Sequence, residues 1–280
     1  MNDKCIICGG ELSEEIFSGL IQCKKCKFIT TNTRLSDDEL KSLYSEKYFN
    51  GEEYTAYIED KQVIQQNFRS RLRTLLKHID NPNTKKMFEI GCAYGLFLDV
   101  SKEHFKSLQG IDISSDAVSY AKSKLELDVI SGNYLEYQLQ DKKDVICMWD
   151  TIEHLKNPEL FIEKASKDLN TGGLIAITTG DISSMNARIR RGKWRQIHPP
   201  THLHYFSKET LQQLLINNGF EIVSCTYPAS KMSLKNIAYI ILMIRSKNEK
   251  LYNFLDKIGV LKYNILVNMF DLMYIIARKK

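Results

Sequence analysis

The chain has 280 residues, 43% hydrophobic and 26% charged, which is ample for a full α/β core with a small attachment and unlike a disordered chain. Its 39 basic and 34 acidic residues leave a net charge of only +5, a surplus too small to demand a nucleic-acid partner. The opening Met1-Asn2-Asp3-Lys4-Cys5 lacks the apolar run of a secretory signal, which predicts a cytoplasmic location with reduced thiols.

The first chemistry along the chain is a thiol set. Cys5-Ile6-Ile7-Cys8 and Cys23-Lys24-Lys25-Cys26 are two C-x-x-C knuckles with fourteen residues between them, close to the spacing of a tetrahedral thiolate site. Four protein ligands leave no open coordination position, so a Zn2+ ion held by Cys5, Cys8, Cys23 and Cys26 is expected to be structural, stiffening a ribbon over residues 1–32. A redox pair needs only one knuckle beside a thioredoxin-like pattern, and none is present. Cys92, Cys147 and Cys225 stand in strand or turn contexts and read as core residues. A helical connector follows over residues 33–84. Ser36-Asp37-Asp38-Glu39 spells a capping box ahead of Leu40, Leu43 and Tyr44. A longer helix over about 58–79 places Val63, Phe68, Leu72 and Leu75 on one side, and Asp80-Asn81-Pro82-Asn83 stops it.

The run Phe88-Glu89-Ile90-Gly91-Cys92-Ala93-Tyr94-Gly95 then takes an apolar strand into a turn with small residues at Gly91, Ala93 and Gly95. About 20 residues later, Gly110-Ile111-Asp112-Ile113 ends a second strand on an acid. Small residues let the turn backbone approach a ligand, and an acid at that distance can accept hydrogen bonds from both ribose hydroxyls. A dinucleotide turn needs a third glycine five residues after the first, to seat a pyrophosphate on the helix N-terminus, and Leu96 stands there instead. Glu89 suits a ligand with an ammonium group. S-adenosylmethionine meets both conditions. Here the chain resembles the class I S-adenosylmethionine-dependent methyltransferases, with Ala93 in place of their usual middle glycine, and the resemblance runs from about 86 to 227. The bland alternative is an αβ crossover in another Rossmann-like protein.

Later segments fit the same resemblance. Residues 129–135 read as a short strand ending in a polar residue, and the resemblance implies that Asn133 meets the adenine amino group, with Ile113 and Tyr134 in the same cofactor site. Residues 144–150 read as a buried strand delivering Asp150 to its C-terminal mouth, where open α/β sheets hold ligands. Thr151-Ile152-Glu153-His154-Leu155 follows, then a helix over 159–168 opened by Asn157-Pro158, then Gly172-Gly173 and a strand over 174–179. That order strongly resembles methyltransferases of small molecules, such as the quinone and sugar branches. In similar enzymes the segment ahead of the first strand folds over the cofactor, so Tyr44, Tyr48, Tyr54 and Tyr57 are a candidate lid, with plain packing the simpler reading. Tyr94 and Trp149 offer electron-rich faces to a sulfonium, and both are equally well read as packing.

A basic stretch over 185–195 precedes His198, His202 and His204, three of the six histidines within seven residues. Methyl transfer to an aliphatic hydroxyl requires its proton to leave as the bond forms, and a neutral imidazole can take it near pH 7. His202 and His204 are the candidate bases, with His154 third. Against this stands a structural role, in which His202 or His204 bonds the turn backbone; a metal reading of His-x-x-x-His-x-His with no nearby acid is a weak signature. Residues 230–268 read as a helical insertion before a final strand over 271–280. Residues 237–244 are wholly apolar, far short of the roughly 20 needed to cross a bilayer, and Lys231, Lys235, Arg245, Lys247 and Lys250 flank them. A lid on its own domain or a homodimer contact is the plainer reading; the functional one is a peripheral membrane contact or a cover for a lipid-linked acceptor.

The expectation is therefore an α/β, Rossmann-like seven-stranded methyltransferase sheet over 85–280, mostly parallel with an antiparallel last strand, carrying a small N-terminal zinc ribbon and helical connector. Its expected work is S-adenosylmethionine-dependent methyl transfer to a small-molecule polar acceptor, such as a sugar or cell-envelope precursor, by O- or C-methylation. The segment 5–48 resembles the zinc-bearing part of nucleotide-sugar C-methyltransferases, whose long C-terminal domain is not matched here. Two alternatives stand beside this. One is a zinc-ribbon RNA methyltransferase using Arg188 to Arg195 against phosphates, which the want of a stacking surface and of an Asn-Pro-Pro-Tyr type sequence disfavours. The other is a non-catalytic cofactor-binding scaffold.

Overall fold

The computed structural model describes residues 4–17, 19–32, 39 and 60–280. Tyr44, Tyr48, Tyr54 and Tyr57, and the capping box apart from Glu39, lie outside the described residues. The ribbon comprises β1 (Leu12–Phe17), β2 (Leu20–Cys23) and β3 (Ile29–Thr31), paired antiparallel in that order. A helix, α1 (Lys61–Leu76), leads into the main sheet, and its end is marked by Asn81 in the left-handed region and a turn at Pro82–Thr84.

The main sheet takes β4 (Lys86–Ile90), β5 (Ser107–Asp112), β6 (Val129–Ser131), β7 (Lys143–Trp149) and β8 (Leu169–Gly180) as parallel strands. Helices α2 (Leu96–Ser101), α3 (Ser115–Leu125) and α4 (Pro158–Asp168) connect them. After α5 (Met185–Arg190) come β9 (His204–Tyr205), α6 (Lys208–Asn217) and β10 (Phe220–Thr226). The chain then forms β11 (Ser230–Ser233), α7 (Leu234–Ala238), a π-helical stretch (Tyr239–Arg245), α8 (Glu249–Lys257) and β12 (Asn264–Val267) before β13 (Leu272–Lys279). The sheet order is β10-β13-β8-β7-β4-β5-β6, and β13 runs antiparallel to both its neighbours. The order reverses between β4 and β7. In open α/β sheets that reversal splays the connections apart and leaves a crevice at the strands' C-terminal ends.

Alternation along the strands builds two cores. Phe88, Ile146, Met148, Ile175 and Ile177 face α4 and α6, while Met87, Val145, Cys147 and Ala176 face α1, α2 and α3. Each fully buried side chain of this size contributes about 1.5–3 kcal/mol, which is why the sheet fixes its register. Cys5, Ile7, Cys23 and Phe28 of the ribbon join the first core.

One expectation of local structure is extended and another is corrected. The insertion predicted over 230–268 is helical in its middle, through α7, the π-helical stretch and α8, while its ends, Ser230–Ser233 and Asn264–Val267, pair antiparallel. Gly259, with φ +77°, ends the helical path, so the apolar run after it continues as a short turn and a strand. Gly172-Gly173 was expected to lie between helix and strand, yet β8 begins at Leu169, directly after α4. Separately, β9 adds a fourth strand to the ribbon, pairing Ile29 with Tyr205 and Thr30 with His204.

Candidate active site

A cavity of about 840 Å³ occupies the crevice at the β4/β7 reversal. Glu89, Gly91, Ala93, Asp112, Ile113, Asn133, Tyr134, Asp150 and His154 all line it, so the structure gathers most of the sequence-derived set around one space. Gly95 stands outside that lining and ends the turn as the left-handed residue before α2. Gly91 has φ +73°, and a Cβ there would meet Thr151 Cγ2 at 2.5 Å, so neither the backbone nor the space admits a larger residue. Ala93 holds φ +43°, an uncommon state for a residue with a Cβ. Asp112 explains how it persists: Oδ2 accepts the Ala93 amide at 2.7 Å while Oδ1 accepts the Ser114 amide at 2.9 Å. Each oxygen keeps a further lone pair, and burial raises this carboxyl above its ordinary range against the pull of those two amides.

Glu89 is buried, and its Oε2 has no hydrogen-bond partner. Burial pushes its carboxyl well above the usual range, Asp112 adds to the shift, and Arg71 opposes it. An orphaned carboxylate oxygen in a cavity wall is costly, and a ligand ammonium would satisfy it. Ile113 is 45% exposed inside the lining, an apolar face suited to a flat ring. These features fit adenosine joined to a charged amino-acid tail. With S-adenosylmethionine bound, Asp112 would face the ribose, Ile113 the adenine and Glu89 the ammonium.

Other expected contacts are engaged in structure. Asn133 accepts the Leu135 amide at 3.0 Å and donates to Glu136 at 3.3 Å, so its amide braces its own loop. Tyr134 is buried between Phe88 and Phe161 and donates its hydroxyl to Asp168 at 2.7 Å. Asp150, at φ +51°, accepts from Thr178 Oγ1 at 2.9 Å and pairs with Arg71 at 2.9 Å. Trp149 lines the cavity, whereas Tyr94 stands outside it, edge-on to Tyr120.

A second cavity of about 310 Å³ adjoins the first, sharing Arg71, Asp150 and His154 with it, and is closed by Gln196, Met232 and Asn268 among others. Glu153, His154 and His202 meet there, with their ligand atoms within 4.8 Å of one another. Burial and Asp150 push Glu153 up to about 8, while burial and the neighbouring His154 and His198 push His202 down to about 2, so its imidazole is neutral. His204 lines neither cavity. Its Nδ1 lies 3.0 Å from Thr30 Oγ1, its Nε2 3.4 Å from the Lys156 carbonyl, and its ring stacks on Phe28. The expectation of a base at His204 is therefore corrected: this residue ties the ribbon to the sheet and has no access to an acceptor.

Arg71 and Glu153 line the cavities but were not among the sequence-derived candidates. Arg71 carried a readable signal, a charge beside Leu72 and Leu75 on the side of α1 that is buried.

In the ribbon the four thiols approach one another within 4.8 Å, with Cys5 and Cys26 sulfurs 3.5 Å apart and Cys8 and Cys23 sulfurs likewise. Sulfurs around a tetrahedral zinc stand about 3.8 Å apart for bonds of about 2.3 Å, so the set fits such an ion. The Ile7 and Cys26 amides point at Cys5 and Cys23 sulfur.

The sheet order, the small-residue turn and the paired acids define a nucleoside-binding α/β enzyme of the methyltransferase type. The family model for the methyltransferase domain matches residues 60–225, more than half of the chain, which therefore belongs to the class I S-adenosylmethionine-dependent methyltransferases. Among relatives, the ubiquinone biosynthesis O-methyltransferase of Idiomarina loihiensis is 28% identical over 120 residues, covering 39% of this chain and 48% of that protein. The chain spans about half the length of the curated relatives it matches. Magnesium protoporphyrin IX methyltransferase of Synechocystis, solved with bound SAH, aligns with a TM-score of 0.57 at 13% identity, covering 88% of this chain and all of that one. N-methyltransferase NodS of Bradyrhizobium japonicum, in complex with S-adenosyl-L-homocysteine, aligns at 0.50 and 16% identity over 77% of this chain and 86% of its own. These two likenesses bear on the fold alone.

Proposed function

We propose that this chain moves a methyl group from S-adenosylmethionine to a hydroxyl of a small polar acceptor, a sugar or cell-envelope precursor carried on a lipid. The observation that carries the reading is the second cavity, which opens from the cofactor crevice and has the hairpin insertion as part of its wall. Activation of the acceptor hydroxyl falls to the cluster at Glu153, His154 and His202, which sits where the two cavities meet. The same reading assigns Cys5, Cys8, Cys23 and Cys26 to a structural zinc ion.

A lipid-linked acceptor is supported by the outer surface of that wall. Eleven of the seventeen large apolar side chains exposed among the described residues lie between Tyr239 and Phe270, and two more, Met185 and Ile189, stand on α5. Exposed apolar surface on this scale marks an interaction face. Incubating the protein with labelled S-adenosylmethionine and cell extract, then separating aqueous, organic-soluble and RNA fractions, tests the proposal. Label is expected in the organic-soluble fraction, released to the aqueous one by mild acid. Label in RNA, or cofactor binding with no labelled product, overturns it.

A further inference from the structure

Glu153 and His154 leave the mouth of β7 on a single turn, Ile152–His154, while His202 arrives from a loop 48 residues further on. The two segments are clamped together by the Leu203 amide donating to the Glu153 carbonyl at 2.8 Å. On the far side, Thr30 Oγ1 and the Thr31 amide bond the Leu203 carbonyl at 3.1 and 2.8 Å, so the ribbon holds this loop from behind. The result is two imidazoles and one carboxylate converging within 4.8 Å.

Three features distinguish this cluster from ordinary packing. First, the Glu153 Oε2 is buried and has no hydrogen-bond partner, an arrangement that native interiors avoid. Second, His154 is oriented by a backbone carbonyl, its Nδ1 lying 2.9 Å from the Thr201 carbonyl, and the His202 ring packs edge-on against it with centroids 4.5 Å apart. A neutral imidazole that donates one N–H to a carbonyl carries its lone pair on the other nitrogen, which is how ligating histidines are set by their surroundings. Third, the nearby cations are engaged elsewhere. Arg71 pairs with Asp150 at 2.9 Å and Arg195 with Asp271 at 2.9 Å; among the described residues no ion pair to Glu153 is formed, and Arg71 has the smallest of the influences on its carboxyl.

We propose that Glu153, His154 and His202 bind a divalent first-row transition cation, distinct from the ion of the four cysteines. Two imidazoles and a carboxylate select such a metal over Mg2+ or Ca2+, which favour all-oxygen shells. Three protein ligands leave positions open toward the 310 Å³ cavity, the arrangement of a catalytic metal and unlike the closed cysteine site. Its role rests on the methyl-transfer reading above. The cation coordinates the acceptor hydroxyl and lowers its pKa, so the proton passes to solvent. The oxygen lone pair then forms the new O–CH3 bond as the sulfonium S–CH3 bond breaks and its electron pair returns to sulfur.

The test uses zinc-loaded full-length protein and Mn2+, which does not compete for four thiolates. Electron paramagnetic resonance follows loss of the free Mn2+ signal, water-proton relaxation reports inner-sphere water, and S-adenosylmethionine affinity is measured calorimetrically on the same samples. One Mn2+ per chain is expected, with exchangeable water on the ion. Glu153→Gln and His202→Gln are each expected to weaken Mn2+ binding by about 100-fold, at or beyond the upper range for losing an outer-shell partner, while cofactor affinity is retained. Wild-type protein that binds S-adenosylmethionine but no Mn2+ overturns the site and leaves the methyltransferase reading intact. Mn2+ binding unchanged in both variants overturns it equally. Protein that takes Mn2+ at this site but no S-adenosylmethionine supports the site and sinks the methyl-transfer reading.

Discussion

Glu89 carries a carboxylate into a wall where Arg71 and the Leu98 backbone only partly oppose its desolvation and Asp112 makes matters worse. Its carboxyl is raised in the folded chain, so folding retains a proton that the unfolded chain has lost. Stability linked to this group is full below the ordinary glutamate range and falls as pH rises through the raised value. A bound ammonium reverses that preference by favouring the ionised form. Cofactor binding just above the ordinary glutamate range is therefore expected to release protons, seen as a calorimetric enthalpy that varies with the buffer's ionisation enthalpy. Glu89→Gln should remove most of that dependence and weaken binding by about 10- to 100-fold, the worth of a charge-assisted hydrogen bond of about 1.5–3 kcal/mol. Identical proton release in wild type and variant would remove Glu89 from the site. The sequence made this residue legible because the turn that follows it has so few physical uses. Asn133 and Tyr134 were less legible in role, since their side-chain partners Glu136, Leu135 and Asp168 are visible only once the loop has folded.

At the scale of elements, strands of the main sheet were readable from apolar runs, and the resemblance implied their number and the antiparallel last strand, whereas β9 was not readable at all. Two residues carry no period, and the partner of His204 is Thr30, far back in the chain. The same holds for β11, whose Ser-Lys-Met-Ser sequence becomes a strand only by pairing with Asn264–Val267. That hidden β3–β9 pairing gives the ribbon a task. It supports the loop that delivers His202, so the closed cysteine site and the open cluster are mechanically linked. Cys23→Ser is expected to lower the thermal midpoint by about 5–10 °C, taking loss of the ion as about 2–3 kcal/mol for a domain of this size. Hydrogen exchange should accelerate first at the amides of Thr31 and Leu203, which bond across this junction. If those amides keep wild-type protection in the zinc-free protein, the ribbon does not hold the loop.

Across the whole molecule, the insertion turns one rim of the second cavity into an amphipathic surface. Leu251 and Phe254 of α8 and Ile258, which caps it, follow one stripe, each exposed by 41% or more, while Leu266 and Phe270 extend the apolar face at 67% and 66%. Basic residues surround them: Lys231, Lys250, Lys257 and Lys262 in the insertion are exposed, as are Arg188 and Arg190 on neighbouring α5. No helix among the described residues is long and apolar enough to cross a membrane. An apolar stripe ringed by basic residues is the pattern of a surface that lies in a headgroup layer. α5 adjoins it through Asn186, which contacts Met269 and Asp271, and so adds its arginines to the same rim. An anionic bilayer supplies the complementary charge and a place for the apolar side chains, and it would present a lipid-linked hydroxyl directly to the cavity mouth. Wild-type protein is expected to sediment with vesicles containing phosphatidylglycerol more than with pure phosphatidylcholine, and less as salt rises. Inserting one phenylalanine is worth about 1–2 kcal/mol here, since each is already partly buried, so Phe254→Glu with Phe270→Glu should weaken binding about 30-fold or more. Both side chains face outward, so the fold and cofactor affinity should survive. A double variant that binds vesicles as wild type does, or a wild type that buries this face in a stable dimer and ignores vesicles, excludes the membrane as its partner.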